Sequence, residues 1–140
     1  MKILVGMAKI NKNDPAGGSD GLEVTERPGG GISILMADSV GNGRSNQDIG
    51  HLVAIKAALL ISDGVRDATV PRAIHDYLQV DKGGKVAVML TIISIDTGTQ
   101  TLSFARNSSC PLFIRHEFAV DCHDEVGAPL GIQKNVKPIV

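Results

Sequence analysis

Tryptophan is missing from this 140-residue sequence, and all aromatic residues together make up 3% of it. Base-stacking platforms and carbohydrate-binding shelves need such rings, so both are poorly supplied. Neither sign of charge dominates: 14 Lys and Arg against 15 Asp and Glu leave a net −1, with no run of either. A nucleic acid or an anionic membrane surface requires a basic patch, so neither is an expected partner. Cysteine is scarce as well. Cys110 and Cys122 are too few for a disulfide framework and match no zinc spacing, so two reduced thiols in a cytoplasmic protein are expected. No apolar run reaches membrane-spanning length. The opening Met1-Lys2-Ile3-Leu4-Val5 carries one charge and too short an apolar run for a signal peptide. What is present is ordinary: 43% hydrophobic, 21% charged, 16 Gly and 6 Pro over the length of one domain. A single domain over residues 1–140 is expected.

Residues 2–10 are apolar and β-branched and predict a first strand, followed by turn formers over 11–21. Leu22-Glu23-Val24-Thr25 alternates, as a half-buried strand does, and Arg27-Pro28-Gly29-Gly30-Gly31 breaks it. A nearly continuous apolar run over 32–37 predicts a central strand that ends at Asp38. The period then changes. Ile49, Leu52, Val53, Lys56, Leu59 and Leu60 fall at helical spacing, with Ser45 as N-cap and Gly64 just past the end. A second helix starts near Asp67 or Thr69, with Pro71 in its first turn and an apolar stripe of Val70, Ile74, Tyr77 and Leu78. Residues 86–95 form a long β-branched run, Asp96-Thr97-Gly98-Thr99 is a hairpin turn signal, and Leu102 and Phe104 alternate in the returning strand. Leu112-Phe113-Ile114 predicts one more strand, residues 121–125 a polar loop, and 136–140 the start of another strand. Strands, a helix pair and strands again indicate an antiparallel α+β fold rather than alternating βαβ units.

The corner at Asp38 is the most informative place for chemistry. A carboxylate ending a buried strand is costly unless paired, and Gly41 and Gly43 let the backbone turn and expose its carbonyls there. Hard divalent cations take such oxygens. The competing interpretation is that Asp38 caps the next helix or stabilises a turn. Asp20, in Gly17-Gly18-Ser19-Asp20-Gly21, returns to the same end of the sheet if 22–37 form a hairpin; it too could be an ordinary loop residue. Neither Gly29-Gly30-Gly31 nor Gly41-Asn42-Gly43 is followed by Lys-Ser/Thr, so no P-loop is supported. His51 and His75 fall within helices, where an imidazole needs no special role.

Ala37-Asp38-Ser39-Val40-Gly41-Asn42-Gly43 followed by an amphipathic helix resembles the signature of the stage II sporulation protein E family, the bacterial branch of the metal-dependent (PPM) serine/threonine phosphatases. Further elements match in the family's order: Gly18-Ser19-Asp20, the strand before Asp96-Thr97-Gly98, Ala105-Arg106-Asn107 through Cys110-Pro111-Leu112, and Gly127-Ala128-Pro129-Leu130-Gly131. The resemblance implies an antiparallel β-sandwich flanked by helices. It also implies two Mn²⁺ or Mg²⁺ ions that share a carboxylate and hold the water attacking phosphorus. Asp38 would be that carboxylate, Ser39 would contribute its backbone carbonyl, and Asp20 would be an outer or water-mediated ligand. Arg27 and Arg44 would bind the substrate phosphate. The family's further Asp-Gly metal motif lies beyond the Gly-x-Pro-Leu-Gly loop and has no counterpart here, since Asp63-Gly64 sits between the helices. A C-terminally truncated phosphatase, or a short relative with an incomplete metal centre, is therefore expected.

The function so implied is hydrolysis of phosphoserine or phosphothreonine on small bacterial regulators of stress, sporulation or sigma-factor switches. A non-catalytic phosphatase-like binding module is the alternative. A homodimer is also expected, formed by strand addition or by exchange of the terminal segments around residues 138–140.

Overall fold

The computed structural model describes residues 1–10, 20–40 and 48–140. In chain order its elements are β1 (Gly21–Glu26), β2 (Gly31–Val40), α1 (Ile49–Ser62), α2 (Val70–Asp81), β3 (Ala87–Asp96), β4 (Thr101–Asn107), β5 (Leu112–Arg115) and β6 (Val120–His123). The first four strands form one antiparallel sheet in the order β1-β2-β3-β4, and β5 pairs with β6 in a second, two-stranded sheet. The architecture is α+β and antiparallel, as expected. Among the described residues no helix is long and apolar enough to cross a membrane.

The large sheet has a dry face and a wetter one. Leu35, Ala37, Val88, Leu90, Ile92 and Ala105 alternate onto the dry face and are buried against Val53, Ala57 and Ile61 of α1 and Ile74 and Leu78 of α2. Each large aliphatic side chain buried there contributes about 1.5–3 kcal/mol. The opposite face is also apolar but only partly covered: Met36 and Leu102 stay 46% and 49% exposed. The β5–β6 hairpin approaches this face at its β4 edge, where the Phe104 and His123 rings lie 4.8 Å apart.

The buried face of α1 differs from the sequence expectation. Leu52 and Leu59 are 41% and 59% exposed, whereas Gly50, Ala54 and Ala57 are buried. The cause is close approach. A Cβ on Gly21 would sit 2.4 Å from the Gly50 carbonyl oxygen and 2.5 Å from the Ala54 Cβ, so only small side chains fit where α1 crosses β1. The helix ends as anticipated around Gly64, whose N–H bonds Ile61 O while Val65 N–H bonds Leu60 O. Its N-cap is Asp48, and Ser45 lies outside the described residues.

Three strand expectations need correction. Residues 1–10 form no strand and pair with no strand of the sheet, since β-propensity alone does not supply pairing. β2 does not stop at Asp38 but continues through Ser39 to Val40, because β3 keeps pairing with it as far as Ala87. The polar stretch after residue 119 is not a loop throughout, since β6 pairs with β5 from Val120 to His123. At the terminus, Ile139 folds back onto Arg106 through two backbone hydrogen bonds of 2.8 Å, so this segment is not an open edge.

The β1–β2 turn depends on Gly31. Its φ is +99°, and a Cβ there would lie 1.9 Å from the Ile95 carbonyl oxygen. Gly31→Ala should therefore lose about 2–4 kcal/mol in urea unfolding, combining left-handed strain with overpacking. Gly29→Ala, with nothing within 4 Å of the new Cβ, should change stability little. Equal effects at both positions would show that the turn does not govern the fold.

Candidate functional site

Strand alternation decides what Asp38 can do. Ala37 and Ser39 are buried toward the helices, so Asp38 between them projects from the opposite face, where it is exposed. Its charge is not buried, and the desolvation cost anticipated for it does not arise. Position supplies the chemistry instead. Gly21 of β1 pairs with Ala37 of β2, the last pair of that ladder, so Asp20 and Asp38 are the next residues at the same end of the sheet. Two acidic residues thus sit at one end of the sheet.

Lys9 is brought to the same place, its Nζ donating to the Asp20 carbonyl oxygen at 2.6 Å. Nothing in the sequence marks Lys9, because its neighbourhood with Asp20 is a product of the chain path. Residues 6–10, Asp20, Leu22, Met36, Met89 and Thr91 border a groove of about 480 Å³ on this side of the sheet. Ser39 lies on the other face of β2, so only its backbone can share the Asp38 end. Arg44 lies outside the described residues, as do Gly18 and Gly41-Asn42-Gly43.

Arg27 is elsewhere. Its Nη1 donates to Asp67 Oδ1 and Ser33 Oγ at 2.8 Å and to Ser94 Oγ at 2.9 Å, while Ser33 and Ser94 bond each other at 2.6 Å. These serines are on the helix face, and Ser33 is about 16 Å along β2 from Asp38 at 3.3 Å per residue. Arg27 joins the sheet to the connection between the helices. It is not placed to meet a phosphate beside Asp38.

The motif elements divide the same way. Asp96 is at the Gly31 end of the sheet, where its carboxylate accepts the Thr99 N–H at 2.9 Å. That bond holds its carboxyl below the usual range, and the role is to close a turn. The remaining elements gather at the Asp38 end. Leu90 pairs with Ala37 on one side and Asn107 on the other, and Val88 pairs with Ser39 and bridges to Leu130. Asn107 Nδ2 donates to the Ala128 carbonyl at 3.0 Å. Among the described residues, no three His, Cys, Asp or Glu side chains cluster to hold a metal ion. Asp20 and Asp38 suit one hard cation completed by carbonyl or water oxygens; they do not supply a second ion.

The fold is shared with solved phosphatases. The PP2C phosphatase domain of the cell fate determinant SpoIIE from Bacillus subtilis superposes with a TM-score of 0.67 at 17% identity, over 86% of this chain and 36% of that one. A bacterial serine phosphatase gives 0.71 at 8% identity, over 88% and 62%. The S. agalactiae serine/threonine phosphatase gives 0.69 at 12% identity, over 95% and 70%. The fold is similar to that of PP2C-type phosphatase domains. The chain spans between about a third and about two thirds of these proteins. No protein-family model and no curated protein matches the sequence.

The Arg27 network predicts a stability effect without a binding effect. Arg27→Met leaves Asp67 and two serines short of a donor, and should cost about 1–3 kcal/mol in urea unfolding. Its Mn²⁺ affinity, measured by calorimetry on the folded protein, should match the parent's. A selective loss of affinity would instead place Arg27 at the site.

Proposed function

We propose that this chain is a PPM-type, metal-dependent phosphoprotein phosphatase domain acting on phosphoserine or phosphothreonine. The observation that carries this is the placement of Asp20 and Asp38 at one end of the sheet, with Asp20 bordering a groove, within a fold similar to PP2C-type phosphatases. Small phosphorylated bacterial regulators of stress, sporulation or sigma-factor switches are the proposed substrates. Asp38 would hold Mn²⁺ or Mg²⁺ directly and Asp20 through water. When bound, such an ion polarises a water molecule and offsets charge at phosphorus. Lys9 adds a positive charge at the same edge, suited to a phosphoryl oxygen. The absence of a three-ligand cluster among the described residues favours the second reading, a binding module that keeps the fold and the partner surface.

Two measurements separate these readings. Release of phosphate from a phosphoserine peptide should require Mn²⁺ and fall at least about 100-fold in Asp38→Asn. Calorimetry should show Mn²⁺ affinity falling at least about 100-fold in Asp38→Asn and about 10-fold in Asp20→Ala, the water-mediated position. Unchanged affinity in Asp38→Asn would return Asp38 to a purely structural role. Binding without phosphate release would select the module.

Assembly as a homodimer is proposed with this function, by exchange of the terminal segments, in which Ile139 of one chain would take the place beside Arg106 of the other. Light scattering should give about twice the 14.7 kDa chain mass at micromolar concentration. A mass of 14.7 kDa at every concentration would exclude the dimer.

A further inference from the structure

On the helix side of the sheet, facing away from the Asp20–Asp38 pair, α2 and the segment 134–137 enclose a second groove of about 330 Å³. Arg72, His75, Asp76 and Gln79 fall at i, i+3, i+4 and i+7 and line one wall; Lys134 and Lys137 stand on the other. Three cations and one carboxylate give this small region +2, in a chain whose net charge is −1. Among the described residues, none of Arg72, Lys134 and Lys137 takes part in an ion pair.

The walls are fixed by bonds that do not use these charges. His75 is nearly buried, and its Nδ1 accepts the Gly131 N–H at 3.0 Å. In the neutral imidazole the proton must then sit on Nε2, which leaves an oriented N–H donor on a groove-lining side chain. Gln79 Nε2 donates to the Gly131 carbonyl at 2.5 Å, holding the same residue from a second point on α2. The far wall is tied down too: Asn107 Nδ2 donates to the Lys137 carbonyl at 3.1 Å, and Ile139 is bonded to Arg106 just beyond it.

Arg72, Lys134 and Lys137 line the same groove as the His75 ring, and three cations against one carboxylate, beside an N–H donor, favour an anion of more than one charge there. The volume lies at the lower end of small-ligand pockets. We infer that this groove binds a phosphate monoester or inorganic phosphate dianion, as a site separate from the Asp38 end and independent of any hydrolysis there. It offers no carboxylate pair for a metal, so its role is to hold the anion. Free phosphate and a phosphorylated side chain share this chemistry.

Titration of the whole chain with inorganic phosphate at constant ionic strength tests the site, read by ¹H–¹⁵N resonances of the Gly131 amide and the His75 ring. Saturable shifts at both are expected, and Arg72→Gln combined with Lys134→Gln should weaken binding at least about tenfold, since charge-assisted contacts are the stronger ones. Both positions are exposed, so the double variant should fold. Asp38→Asn should leave the phosphate affinity unchanged, which separates this site from the proposed phosphatase centre. Phosphoserine supplies the second arm: tighter binding than phosphate identifies a phosphorylated side chain as the ligand, and equal or weaker binding identifies the free anion. No shift at Gly131 and His75, or the same shifts from chloride at equal ionic strength, would overturn the site.

Discussion

Antiparallel pairing of β1 with β2 in one register is the constraint on which the molecule's organisation depends. Gly31 enters β2 so close to the Ile95 carbonyl that no side chain fits, and at the other end Gly21 lies against α1 with no room for a Cβ. Glycines at both ends of the hairpin thus limit how the strands can slide. A slip of one residue would turn Leu35 and Ala37 out of the core and bring Met36 and Asp38 under the helices. Burying Asp38 there without a partner would cost several kcal/mol. The same register that saves the core therefore brings Asp20 and Asp38 to one end of the sheet.

Helix placement follows from that hairpin. Because α1 must pass close to Gly21, its contact face is built from Gly50, Ala54 and Ala57 rather than from its leucines. Spacing in the sequence revealed the helix and its end at Gly64, but hydrophobicity favoured Leu52 and Leu59 as core residues. Size decided otherwise, and the size limit comes from a strand almost thirty residues away. β2 was legible as a strand for a local reason, its apolar run; its continuation through Asp38 was not, because cross-strand pairing with β3 maintains it. The unpaired residues 1–10 are the converse, with strand-like composition but no strand pairing. The return of Asp20 and Asp38 to one end of the sheet was accessible from sequence once a hairpin was assumed, whereas Lys9 carried no signal at all.

Buried polar residues do the remaining positioning. Arg106 is fully buried on β4, and its guanidinium donates to the carbonyls of His123 at 2.9 Å and Glu125 at 2.7 Å. A buried cation held by neutral carbonyls is costly relative to an apolar residue, so its value lies in the geometry it imposes. It fixes where the chain leaves β6, while its neighbour Asn107 fixes residues 128 and 137 through two bonds from one amide. The Arg-Asn pair read from sequence as part of an ordered motif is, in the fold, a support for two loops.

That support explains why motifs scattered over more than a hundred residues can act as one set. Val88 is paired with Ser39 on one side and with Leu130 on the other, and Leu130 N–H and O bond Val88 at 2.8 and 2.9 Å. The strand position next to Asp38 and the loop ending at Gly131 are therefore neighbours of a single β3 residue. Gly131 in turn is held by His75 and Gln79 of α2. A continuous ladder of backbone and side-chain bonds thus runs from the outer face bearing Asp38, through the sheet edge-on, to the cationic groove on the helix side. The two charged regions are kept apart by the sheet's apolar core yet anchored to the same strand, so their separation is fixed by β3.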